Sequence, residues 1–463
     1  MVNDYVAERR LGWLGVWLLV TLVSPLALLN AAEIDAPNPA KVFSSLPSVE
    51  DIKLSPDGSK AVVLHAFFDT YHVMVLDFVT GKSKLIMAAD PDEFAFNWCR
   101  FANETRVLCS IRKYIRLRAG QISAGARWYR DGRSTATRLM AANIDGSDVV
   151  QLVKSGKTEL GRRLEWNALA QDDIISWLDH DNDHVLIQLA RDHRVYPSVY
   201  KLNIYTNRLE RVRRHREGVN IWYADQKGVI RNAAGYHRGK RQFRAHAVTA
   251  KGLVPLPFGG LDTDVAPRFA GYLNDGASAL VLMRNGRDKQ ALLEVGTQDG
   301  KVLRTIFEDL EDRYDVTSGP IVTPDGQLVA IQLSGEHATY HWFDKTLAKE
   351  YQTLVGQLPG SPNRVSIRTA SRDWQKLIIS ASGNRTLPRL YLYDRSLDQP
   401  SLSLLFESYR DAQPEWIADP QAISYPARDG LTIPGYLTLP NDCLLYTSPS
   451  PRDLSTSRMP SSA

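Results

Sequence analysis

The chain has 463 residues, more than one ordinary core accommodates, so its length implies two domains or one large repeat array. A hydrophobic fraction of 44% and a charged fraction of 23% are those of a globular protein, and three cysteines exclude a disulfide-dense scaffold. The net charge of +4 gives no global argument for nucleic acid or an anionic membrane as partner, and ten Trp with nineteen Tyr favour β structure.

The N-terminus has the layout of a secretory signal. Arg9 and Arg10 precede an uncharged apolar run, residues 11–29, and small residues follow at Ala31 and Ala32. Residues 1–32 are therefore expected to be a signal peptide cleaved after Ala32, with the remainder exported, in a bacterium to the periplasm. The alternative is an uncleaved anchor, because residues 11–29 nearly span a bilayer and would hold the protein to the inner membrane.

Residues 54–64 read LSPDGSKAVVL. Pro56 presets φ for a turn, Asp57 can bond its own backbone, and Gly58 takes positive φ cheaply. The apolar run that follows is expected to be a buried strand. Turn-then-strand copies occupy residues 101–111, 179–189, 224–234, 272–282, 322–331 and 370–380. Their turns, at Asp57, Asn103, Asn182, Gln226, Asp275, Asp325 and Asp373, are spaced by 46, 79, 44, 49, 50 and 48 residues. A second motif, strand–polar turn–strand, alternates with the first at residues 75–86, 142–152, 201–212, 294–306, 341–354 and 391–406. Two hairpins per period are four strands, and four-stranded units at this period predict an all-β chain forming a seven-bladed β-propeller over residues 41–415. The competing fold is an irregular β-sandwich, which lacks a reason for a fixed period.

The long spacing places an insertion in the second blade, near residues 113–138. It is basic, with Arg112, Lys113, Arg116, Arg118, Arg127, Arg130, Arg133 and Arg138 against Asp131. Both it and residues 208–216 (RLERVRRHR) read as solvated surface, so no nucleic-acid partner is expected. Asp179, Asp181 and Asp183 alternate as in a calcium loop, but His184 stands where the loop's Gly belongs. The pairs His180/His184 and His337/His341 fall on turn and strand, where a spacing of four does not share a face. No metal site and no cofactor are expected.

Cys99 and Cys109 lie symmetrically about Glu104. A hairpin turning there sets them opposite one another, within reach of a disulfide in an oxidising compartment. The alternative is two buried free thiols.

After residue 415 the rhythm changes. Residues 421–440 (QAISYPARDGLTIPGYLTLP) read as a hairpin about an Asp429-Gly430 turn. Residues 443–463, which include Cys443, are Ser/Pro-rich and without apolar periodicity. They resemble a translated sequencing adaptor and are expected to be a non-native, disordered tail.

Together these stretches resemble the N-terminal part of a prolyl oligopeptidase-family serine peptidase, in the branch of bacterial exported dipeptidyl and acylaminoacyl peptidases. The resemblance rests on residues 43–58 (FSSLPSVEDIKLSPDG), on the repeat array, and on residues 425–440 (YPARDGLTIPGYLTLP). It implies a propeller that gates a Ser-His-Asp peptidase, and it makes residues 416–442 the start of a truncated α/β-hydrolase domain. Short peptides are the implied substrates. No G-x-S-x-G or HGG segment occurs, the nearest miss being Gly132-Arg133-Ser134-Thr135-Ala136, so no catalytic residue is assigned and the chain itself is expected to be inactive. The alternative function is a non-enzymatic exported propeller, a TolB-like protein-binding scaffold, for which residues 425–440 would merely close the last blade.

Overall fold

The structure is a computed structural model. It describes residues 38–439 and 441, apart from 117–132, 154–167, 237–241, 258–265, 285, 287–288, 311–314, 317–318, 324, 334–338 and 384. The signal segment with Ala32, the tail with Cys443, and the tip of the basic insertion lie outside the described residues. No helix among the described residues is long and apolar enough to cross a membrane.

A short helix, α1 (Pro39–Ser44), precedes seven consecutive antiparallel sheets. Blade 1 comprises β1 (Val49–Leu54), β2 (Lys60–Phe67), β3 (Thr70–Asp77) and β4 (Lys82–Met87). Blade 2 comprises β5 (Ala95–Phe101), β6 (Arg106–Arg116), β7 (Arg133–Asn143) and β8 (Val150–Gln151). Blade 3 comprises β9 (Ile174–Ser176), β10 (His184–Leu189), β11 (Ser198–Asn203) and β12 (Leu209–Arg213). Blade 4 comprises β13 (Ile221–Ala224), β14 (Ile230–Tyr236), β15 (Phe243–Thr249) and β16 (Gly252–Pro255). Blade 5 comprises β17 (Arg268–Leu273), β18 (Ser278–Met283), β19 (Ala291–Gly296) and β20 (Val302–Phe307). Blade 6 has three strands, β21 (Pro320–Val322), β22 (Leu328–Leu333) and β23 (Thr339–Trp342), followed by helix α2 (Lys345–Gln357). Blade 7 comprises β24 (Arg364–Ala370), β25 (Lys376–Gly383), β26 (Thr386–Asp394) and β27 (Ser401–Glu407).

The seven-bladed propeller is therefore the fold, and each of the seven turns read from the sequence joins the first two strands of a blade. The first strands approach one another around the ring, β1 meeting β5 and β24, β9 meeting β13, and β17 meeting β21. They line the axial channel. The second strands are the most apolar, because each is covered on both faces. In β2, Val62 and Leu64 pack toward blade 2 with Phe96, Phe101 and Val107, whereas Ala61 and Val63 pack toward blade 7 with Ile378. The same division recurs in β10, whose Ile187 faces blade 2 and whose Leu186 faces blade 4. Burial on both faces explains why these strands read as continuous apolar runs.

The expected second hairpin of blade 6, residues 341–354, is corrected: only its first two residues, the end of β23, are strand, and residues 345–354 belong to α2. Asp344 caps the helix, its carboxylate accepting from the backbone N–H groups of Thr346 (2.9 Å) and Leu347 (3.0 Å). Leu347, Tyr351, Leu354 and Leu358 then fall on one helical face, which packs on blades 6 and 7. Tyr351 donates its hydroxyl to the Val365 carbonyl at 2.9 Å. The outer hairpin of blade 4, β15–β16, gave no sequence signal because β16 is short and half-exposed.

Among the described residues no strand is shared between the ends of the ring. Blade 7 is complete in residues 364–407, and it meets blade 1 through the apolar cluster of Val49, Ile52, Leu54, Ala61, Val63 and Ile378. Ser48 adds two bonds, its N–H donating to the Ser408 carbonyl (2.8 Å) and its hydroxyl to the Glu407 carbonyl (2.6 Å).

Beyond the ring, β28 (Pro420–Pro426) and β29 (Thr432–Thr438) pair only with each other. Gly430, at φ 84°, makes the turn, and its N–H donates to the Ala427 carbonyl. The apolar side chains Ile423, Tyr425, Leu431, Tyr436 and Leu437 are all exposed. The hairpin is tethered at the side of the ring where the first strands begin. There Arg385, between β25 and β26, pairs with Asp419 at 3.4 Å and donates to Asn441 at 3.1 Å, and Phe43 packs edge-on against Trp416.

Ring closure by side-chain packing yields a direct expectation. Ile378→Ala, at a fully buried position in the closing seam, is expected to lower unfolding free energy by about 2–5 kcal/mol. Leu404→Ala on the exposed outer strand is expected to change it by about 0.5 kcal/mol or less. Denaturant titration of the two variants measures the contrast, and equal effects would contradict closure at this seam.

Candidate functional site

The candidate site is the mouth of the channel at the side where the first strands end. Every first turn of the ring converges there. Their construction is local. In blade 1 the Ser55 hydroxyl donates to Asp57 at 2.6 Å, the Ser59 N–H donates to the same carboxylate oxygen at 2.9 Å, and Gly58 adopts φ 70°. Blade 7 repeats the device with Ser371 donating to Asp373 at 2.6 Å and the Gln375 N–H donating at 3.0 Å, although Trp374 occupies the positive-φ position. In blade 4 Asp225 accepts from the backbone N–H groups of Lys227 and Val229.

Neighbouring turns are then locked together across the blade seams. Asn103 donates to the Asn182 carbonyl (2.7 Å) and to the Tyr205 hydroxyl (2.9 Å). Arg106 is fully buried between blades 2 and 3. It donates to the Ile204 carbonyl and the Asn143 side chain, pairs with Asp148 at 2.8 Å, and lies over the Tyr205 ring. Asp181 holds Lys201 at 2.7 Å and His184 at 2.9 Å, which keeps its carboxyl far below the usual range even though burial alone would raise it. Of the carboxylates read as a calcium-like alternation, Asp181 thus anchors a turn of blade 3, whereas Asp179 faces Arg372 at 3.6 Å.

Three cavities open along the channel at this mouth. One of about 350 Å³ lies between blades 1, 2 and 7 and is lined by Lys53, Arg100, Arg368, Arg372 and Asp179, with Trp374 at its wall. A second, of about 450 Å³, lies across the mouth and carries Asp225, Asp275 and Asp325 with Lys227. A third, of about 280 Å³, runs deeper past Trp98, Trp177, Asp172 and Asp173. The Arg100 guanidinium sits 4.5 Å above the Trp177 ring, and enclosure in the channel lowers its pKa, opposed by Asp179. Burial likewise raises the pKa of Asp173, which the Gln188 amide opposes by donating to it. None of these cationic side chains was singled out from the sequence, since Lys53, Arg100 and Arg368 are ordinary polar positions on alternating strands.

Cys99 and Cys109 are directly opposite in the β5–β6 register, with Cα atoms 4.1 Å apart, and a disulfide joins them. The bond ties together the hairpin that presents Arg100. The near-miss Gly132–Ala136 pattern offers no nucleophile: Ser134 is fully buried in β7, opposite Ile115. The basic residues Arg118, Arg127 and Arg130 lie outside the described residues, while Arg208–Arg216 includes the exposed outer strand β12.

Two measurements follow from this geometry. Glu104 and Asp57 face each other across the blade 1–2 seam. Burial would raise Asp57, but hydrogen bonds from Ser55 and Ser59 hold it down at about 2. Burial and then the Asp57 charge raise Glu104 above its ordinary 4.5. Asp57 therefore contributes stability above its ordinary 3.8 that is lost as pH falls toward 2. Glu104 contributes only while protonated, and loses that contribution as pH rises through its raised pKa. Glu104→Gln is expected to stabilise the chain at neutral pH by about 1 kcal/mol or less, with no gain below pH 4.5; thermal melts across pH read the difference. Second, intact-mass analysis with and without reductant should register the two protons taken up by Cys99 and Cys109, and their double Ser replacement should cost about 2–3 kcal/mol.

No protein-family profile matches the chain, and no curated protein matches it. Solved structures do. A prolyl endopeptidase structure superposes with a TM-score of 0.53 at 12% identity, covering 88% of this chain and 57% of that one. A post-proline cleaving enzyme from Rickettsia typhi superposes with a TM-score of 0.52 at 11% identity, covering 88% of this chain and 59% of that one. The chain thus spans under two thirds of the length of these structures. At such identities the likeness is one of fold, and the propeller is similar to those of prolyl oligopeptidases.

Proposed function

We propose that this chain is the propeller portion of an exported serine peptidase of the prolyl oligopeptidase type, acting on short peptides. The observation that carries this reading is the β28–β29 hairpin. It follows blade 7 directly, takes no part in the ring, and leaves its apolar side chains uncovered. A hairpin that closed the last blade would pair with β27; here β27 is already the fourth strand of a complete blade, which argues against the non-enzymatic scaffold. The hairpin reads instead as the start of an α/β-hydrolase domain seated where the first strands begin. The propeller would then present a channel whose far mouth is the turn-lined site described above. In this reading the channel would admit extended chains in preference to folded ones and limit the water reaching a nucleophile.

The chemistry in this reading belongs to a Ser-His-Asp site outside residues 38–441, because Ser134 has no access to substrate. The purified 463-residue chain is accordingly expected to give no labelling with a fluorophosphonate serine probe. The source reading frame is expected to continue past residue 442 into HGG and G-x-S-x-G segments. Probe labelling of the chain, or a frame ending directly after 442, would overturn the proposal. Export is tested separately: N-terminal sequencing of the secreted product should begin at Glu33, whereas retention in the membrane fraction would favour the anchor at residues 11–29.

A further inference from the structure

One cavity of the channel mouth carries an excess of cations. Around the cavity of about 350 Å³, blades 1, 2 and 7 contribute Lys53, Arg100, Arg368 and Arg372 against the single carboxylate Asp179. Asp179 lies 3.6 Å from Arg372, and Lys53 has its own partner in Asp51 at 2.9 Å. Arg100 has a ring beneath it and Asp179 as an opposing charge, and it also lines the deeper cavity that carries Asp172 and Asp173. Arg368 has no ion pair among the described residues. Arg100, Arg368 and Arg372 are exposed at the mouth, where their guanidinium groups are accessible to a ligand. Their turns are held by separate devices, the Ser55–Asp57 and Ser371–Asp373 bonds, so the cations are not needed to build the mouth.

We infer that this cavity is a carboxylate-binding subsite, and that its ligand is a short peptide carrying either a free C-terminus or an acidic side chain. Guanidinium groups from two blades can bind one carboxylate from two directions, which a flexible single-blade site cannot do. Trp374 gives the residue beside the carboxylate an apolar wall. In the neighbouring cavity Asp275 is paired with Lys227 at 2.8 Å and Asp225 with Arg231 at 2.7 Å, so the excess of cations is confined to the first. The inference rests on the peptide-gating reading and adds to it the polarity of what the gate accepts.

The test is calorimetric titration of the intact chain with three N-acetylated probes: tetra-alanine with a free C-terminus, its C-terminal amide, and an amidated tetrapeptide with one Glu. Both carboxylate probes are expected to bind about tenfold or more tighter than the neutral amide, the equivalent of one charge-assisted contact, with the advantage shrinking as salt rises. Arg100→Gln combined with Arg368→Gln should erase the preference without changing the melting temperature, and Arg368→Lys should retain most of it. Preference for only one carboxylate probe identifies the source of the group and supports the subsite. Equal binding of all three probes would overturn the subsite while leaving peptide gating intact. Inorganic phosphate binding as tightly as the carboxylate probes would overturn the peptide assignment. Failure of every probe to bind would overturn the subsite, whereas the peptidase reading stands or falls separately on the reading frame beyond residue 442.

Discussion

Everything in this molecule depends on the seam between blade 7 and blade 1. Each blade is built from consecutive strands, so among the described residues no strand passes from the last blade to the first. Closure rests on Ile378 and its neighbours packed against Val49, Ile52, Leu54 and Val63, on two bonds from Ser48, and on the Arg372 N–H donating to the Pro56 carbonyl. Dispersion and desolvation do here what hydrogen-bonded strand exchange does in other rings. The other seams use the same material, with Arg106 and Asn103 added between blades 2 and 3.

Closure converts local alternation into a shared site. Lys53, Arg100 and Arg368 are each a polar position on a first strand, turned away from the blade interface. Only when the ring closes do residues far apart in sequence face one cavity. The same closure leaves β28–β29 outside, since every blade already has a partner on each side. The hairpin's Ile423, Tyr425 and Tyr436 are then left exposed.

The turns were legible because their chemistry is local: a hydroxyl, an Asp two residues on, and a residue able to take positive φ suffice. Blade 7 shows the limit of that rule, since Trp374 replaces the glycine and only Ser371 and Asp373 preserve the pattern. The period exposed the number of blades. Helix α2 was misread because the strand rhythm was carried across Asp344, whose capping role competes with a turn role for the same residue type. The cationic mouth was illegible for a different reason: its residues belong to three blades, and nothing in any one stretch distinguishes Arg368 from a solvated arginine.

Hydrogen–deuterium exchange on the intact chain tests the central claim most directly, that the propeller closes on itself and the terminal hairpin lies outside it. The account predicts that amides of β2 and β25 share the slowest, globally limited exchange, while those of β28 and β29 exchange by local opening. Protection of β28 and β29 equal to that of β25, lost together with it in one cooperative step, would contradict the account.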